Sequence, residues 1–189
     1  MARNKIVYGK AYVYKNVSSI VTAPYGGTLL GFSDDGVNFD PNILVVDDEV
    51  SEQVSPSDVR DMGAYPQVNI NLLEWDVEQI KCLFNGDRIE SLGGGQYSVN
   101  FPGDVVPGAA LAEDNFLIVP EDTELQTAIY IPAGKVRKVS DEDIAFNLER
   151  SVFPLLIKCL IKQGVAVGHA GYKNRQLQIA KLSNIRLIS

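Results

Sequence analysis

Gln67-Val68-Asn69-Ile70-Asn71-Leu72 alternates without a fault between polar and apolar side chains. Successive side chains of a strand point to opposite faces, so Val68, Ile70 and Leu72 share one face while Gln67, Asn69 and Asn71 share the other. A helix would scatter both sets around its axis. The segment is a half-buried strand, and it anchors a reading of the chain as mostly β.

Working toward the C-terminus, the strand runs into a helix pattern. Asp76 is the N-cap and Gln79 completes the capping box, each satisfying an otherwise orphan backbone group. Val77, Ile80, Leu83 and Phe84 form one apolar stripe, and Asn85-Gly86 tolerates the left-handed C-terminal conformation. Trp75 covers the end of the core. Gly93 to Gly108 is rich in glycine and proline, loosest at Gly93-Gly94-Gly95. Phe116–Val119, Leu125–Ile131 and Val136–Val139 are strand-like, with Pro132-Ala133-Gly134 as a turn between the last two. Residues 142–163 have helical character, but Pro154 would break or kink a helix there, so two strands are expected. Leu177, Ile179, Leu182, Ile185, Leu187 and Ile188 mark a further strand or an extended arm.

Toward the N-terminus, Lys5 to Tyr14 is aromatic and β-branched, a first strand in which Gly9 marks a bulge or a close backbone approach. Ser33-Asp34-Asp35-Gly36 is a turn. Val37–Phe39 and Ile43–Val46 are short strands around Asp40-Pro41. Asp47 to Met62, acidic and interrupted by Pro56, reads as an exposed loop. The expected fold is a mostly-β (α+β) sandwich or barrel with one flanking helix, a domain over 1–163 and a C-terminal strand or arm over 164–189.

The 189 residues are 46% hydrophobic and 22% charged, as in an ordinary globular protein. No apolar run is long enough for a spanning helix, and the polar start Met1-Ala2-Arg3-Asn4-Lys5 does not resemble a signal peptide. Cys82 and Cys159 match no metal spacing and are expected as free thiols in a reducing cytoplasm. The net charge is −7, unevenly spread: residues 1–33 hold four bases and no acid, 34–61 nine acids and one base, 151–189 six bases and no acid. Either these segments neutralise each other within the fold, or basic and acidic faces meet between copies. A nucleic-acid binder would instead concentrate positive charge on a neutral or basic background.

No motif nominates an enzyme. His169 stands alone in Gly168-His169-Ala170-Gly171, without a nucleophile or orienting partner in sight. Ser33 lacks the G-x-S-x-G spacing of a nucleophile elbow. Asp34, Asp35, Asn38 and Asp40, like Asp47, Asp48 and Glu49, miss the alternating spacing of a calcium loop. Gly26-Gly27-Thr28 has no phosphate-loop lysine. Catalytic, metal and cofactor residues are therefore all read as none.

The order of features is similar to that of the major tail tube proteins of tailed bacteriophages and related contractile injection systems. A basic first strand precedes Gly27-Thr28-Leu29-Leu30-Gly31 and Asp35-Gly36-Val37-Asn38-Phe39. An acidic loop leads to Asp61-Met62-Gly63, followed by the strand-helix unit Val68 to Leu83 and, late in the chain, Leu155-Leu156-Ile157-Lys158-Cys159-Leu160. The resemblance covers roughly residues 5–163 and rests on no single diagnostic motif. It implies a virion protein made in the bacterial host cytoplasm, forming homo-hexameric rings stacked into a tube. DNA would pass through without specific binding. The tape-measure protein, baseplate or tail tip, terminator and, in a contractile tail, the sheath would be further partners, with no membrane involved. Candidate assembly residues are Asp34, Asp35, Asp47, Asp48, Glu49, Glu52, Asp58, Lys173 and Arg175. The alternatives are a tail-completion or neck ring, or a hydrolase or carbohydrate-binding β-domain with a pocket near Trp75.

Overall fold

The computed structural model describes residues 5–7, 9–48, 58–73, 89–94, 96–99, 113–124, 126–138, 145–146, 151–162 and 176–188. Fourteen strands occur among them: β1 (Lys5–Val7), β2 (Ala11–Lys15), β3 (Thr28–Ser33), β4 (Val37–Asp40), β5 (Ile43–Asp48), β6 (Asp58–Ala64), β7 (Gln67–Leu72), β8 (Ile89–Gly93), β9 (Gln96–Val99), β10 (Asp114–Pro120), β11 (Ala128–Lys138), β12 (Ala145–Phe146), β13 (Ser151–Cys159) and β14 (Gln178–Ala180). The chain is mostly β, as its alternation requires. The described residues carry no α-helix, only a 3-10 turn at Leu182–Asn184. The helix expected over Asp76 to Phe84 lies outside them, as does Trp75.

The main sheet is antiparallel and ordered β1-β4-β7-β13-β11-β10-β2-β3, with β12 on β13 and β14 on β11. That order forces it to curl. In a flat sheet β1 and β2 would stand six strand spacings apart, about 29 Å. The chain from Val7 to Ala11 reaches at most about 14 Å. The same conflict holds for β3 and β4, joined by the turn at residues 34–36. Only a sheet wrapped back on itself satisfies both links. The Leu73 amide, just past β7, accordingly donates to the Phe32 carbonyl in β3 at 2.9 Å.

Wrapping encloses one core and leaves a second outside it. Val13, Leu30, Val37, Val68, Ile70, Leu72, Phe116, Ile118, Ile129, Ile131, Leu155 and Ile157 belong to the enclosed cluster. Val68, Ile70 and Leu72 thus face inward as their alternation demands. On the opposite face of β10 and β11, Leu117, Val119, Ala128 and Tyr130 meet Tyr14, Val17, Tyr25, Ile185 and Ile188. Strand β10 is therefore apolar on both faces, which is why Phe116–Val119 is an unbroken apolar run.

Four expectations are corrected. The stretch Lys5 to Tyr14 is two strands, β1 and β2, six places apart in the sheet order. The positive φ of Gly9 (76°) lies at the break. Pro132-Ala133-Gly134 is not a turn but the middle of β11. The register slips there by one residue, from Phe116↔Ile131 to Asp114↔Gly134, and such a bulge accommodates a residue with no amide hydrogen. Asp47 to Met62 is not simply a loop, because Asp47 and Asp48 end β5 and Asp58–Met62 open β6, in one hairpin. Gly93 ends β8 opposite Gln96 and Gly94 enters the turn of a second hairpin, β8–β9, both glycines having positive φ. The choice of strands over a helix at 142–163 holds: β12 and β13 form there, with Pro154 opposite Asn71.

Candidate assembly surface

The hairpin β5–β6 hydrogen-bonds to no other strand among the described residues. Its base is closed by the Tyr65 amide, which donates to the Asn42 carbonyl at 3.3 Å, and is tied to the main sheet through the Cys159 amide, which donates to the Pro66 carbonyl at 3.0 Å. The second bond brings the base of the hairpin beside the end of β13. Apolar side chains lie open to solvent there: Ile43 is 57% exposed and Tyr65 48%, with Leu44 and Ile161 also exposed. Large apolar side chains left open to solvent on both faces of a ribbon are candidates for contact with another surface. Leu92 in β8, 59% exposed, gives the second hairpin a similar character.

Charge changes along the first hairpin. Lys158 stands opposite Gln67 near its base, and Lys162 follows Ile161. Toward the tip, Asp48 stands opposite Asp58, and Asp47 and Asp61 are on the same two strands.

The candidate residues divide by position. Asp34 and Asp35 are exposed in the β3–β4 turn; Asp47, Asp48 and Asp58 lie in the hairpin strands. Glu49, Glu52, Lys173 and Arg175 lie outside the described residues, as do His169 and Cys82. The apolar base of the hairpin was not anticipated. Its signal in the sequence is Ile43-Leu44, two neighbouring apolar residues that a strand must send to opposite faces. The charge segments also meet within the fold, where Lys15 Nζ lies 3.4 Å from Asp114 Oδ2.

The described residues bring no catalytic constellation together. Ser33 is buried and donates its hydroxyl to the Gly36 carbonyl at 3.0 Å, the contact of a turn. The Cys159 thiol is buried, and burial pushes it up to about 12, far from a reactive thiolate. An open cleft lies where Lys10 faces Glu121, Asp122, Glu124 and Gln126. The Lys10 ammonium is already engaged there, 4.3 Å from the Phe32 ring centroid and 5.3 Å from that of Tyr12. Among the described residues no group of three or more His, Cys, Asp or Glu side chains could hold a metal ion, and no helix is long and apolar enough to cross a membrane. No protein-family model matches the chain, and no curated protein matches it.

Proposed function

We propose that this chain is a structural subunit that assembles with copies of itself, in the manner of a tail-tube ring protein of a tailed bacteriophage or related injection system. The observation that carries the reading is the β5–β6 hairpin, a two-stranded ribbon apart from the main sheet with an exposed apolar base. An isolated two-stranded ribbon is marginal in water and gains stability from a third surface. A second copy supplies one, and the aspartates of the hairpin strands and the lysines at the end of β13 beside its base are opposite in charge. A head-to-tail contact closes into a ring or propagates as a tube, depending on its rotation and rise. The order of sequence features adds the phage-tail assignment, and the partners named above go with it. Virion localisation belongs to the same proposal.

Sedimentation velocity over a concentration series tests this reading. The expected result is growth from monomer to large species, weakened by high salt because exposed charge contacts are screened. A single monomeric boundary at every concentration and salt level overturns it.

A further inference from the structure

We infer that residues 176–188 form a detachable strap, which opens from the second core while the enclosed core stays folded. The strap leaves the line of β13 and rejoins it. Strand β13 pairs with β11 from Lys138 back to Gly134, and the Leu160 amide extends that line to the Ala133 carbonyl. Strand β14 resumes on β11 at Tyr130 and ends at Ala128. Since β10 occupies the other edge of β11 at Ile129 and Tyr130, β13 and β14 lie end to end on one edge. Removing β14 therefore frees only three residues of edge and leaves the β10–β11–β13 connection whole.

The apolar contacts of the strap divide in the same way. Ile185 and Ile188 are core members of the second cluster, and Ala180, Leu182 and Leu187 pack against it. Only Leu177, partly buried, touches the enclosed cluster, whose core members come wholly from residues 11–159. One side-chain contact holds the strap to itself and another fastens it to the sheet. The Gln178 side chain, itself buried, donates from Nε2 to the Arg186 carbonyl at 2.7 Å and accepts from the Arg186 amide at Oε1, 3.0 Å, closing the segment into a self-bonded loop. The Ile188 amide donates to the Tyr130 hydroxyl at 3.3 Å. A unit that is bonded within itself, and whose polar ties to the sheet among the described residues are three residues of strand and one hydroxyl, with its apolar side chains in the second core alone but for Leu177, has the makings of a local opening unit. Opening uncovers Leu117, Val119 and Tyr130 and the β11 edge at Ala128–Tyr130.

Native-state hydrogen exchange on the full chain tests the strap, read at the Arg186 and Ile188 amides against the ladder amides of β7, β10 and β13. The expected result is exchange of the strap amides at least 100-fold faster than the ladder amides. Gln178→Ala should speed the strap amides at least tenfold further and leave β7 and β13 unchanged. Strap and ladder amides exchanging at one common rate, or Gln178→Ala accelerating both sets equally, would overturn the inference.

Discussion

The hydroxyl of Tyr130, in the middle of the sheet, accepts a hydrogen bond from the amide of Ile188, one residue from the end of the chain. The contact spans 58 positions and joins the sheet's outer face to the segment that covers it. Both residues are buried, so neither group has water as a substitute partner. Tyr130→Phe keeps the ring and removes the acceptor, leaving the Ile188 amide unpaired. The expected loss is about 1–3 kcal/mol of unfolding free energy, measured by urea titration as a lower midpoint with an unchanged slope.

Alkaline pH acts on the same face. Burial raises the pKa of Tyr130, Tyr14 and Tyr25 above the ordinary 10.0. Tyr25 and Tyr12 add a smaller upward effect on Tyr14, and the Ile188 contact pulls Tyr130 back slightly. Well below pH 10 these phenols are protonated in both folded and unfolded chains, and the shift has no effect on stability. Above it, the unfolded chain releases protons that the folded chain retains, so stability falls as pH rises. Unfolding midpoints should be insensitive to these groups up to about pH 9.5 and drop beyond it, in step with tyrosinate absorbance. A flat midpoint through pH 11 would contradict the placement of these rings.

Gly134 marks where β10, β11 and β13 crowd together. A Cβ placed there would lie 2.8 Å from Ile157 Cγ2 and 3.0 Å from two Phe116 ring atoms. Gly134→Ala must therefore shift core side chains on two strands, and the expected cost is about 1–3 kcal/mol by urea unfolding. Gly63→Ala meets no atom but carries a positive φ, so its cost is confined to backbone strain.

Cys159 should behave as a core side chain. At pH 8 a maleimide should modify it only at the rate of global unfolding, followed by mass spectrometry of the peptide bearing it. Labelling within minutes in native buffer would show that the end of β13 is open.

The period-two pattern of Gln67–Leu72 was legible because each face of β7 meets a different environment. The unbroken run Phe116–Val119 was legible as strand for the opposite reason, both faces being covered. What escaped is non-local. Pro132-Ala133-Gly134 has the local chemistry of a turn, and it stays in β11 because β10, β13 and β14 hold that strand on both edges. The hairpin strands at Asp47–Asp48 and Asp58–Met62 were hidden by acid content, since backbone pairing needs no apolar side chain. Of the candidate surface, the acidic positions could be read directly. Exposure of Ile43, Tyr65 and Ile161 could not, because it depends on β13 ending beside the base of the hairpin.

Self-assembly through that hairpin base is tested most directly by negative-stain electron microscopy of the purified chain beside the double variant Ile43→Ser, Leu44→Ser. Both side chains are exposed, so the variant should melt within about 1 kcal/mol of the parent. Rings or stacked tubes are expected for the parent and dispersed particles for the variant. Dispersed single particles for the parent at high concentration, or identical tubes from both proteins, would contradict it.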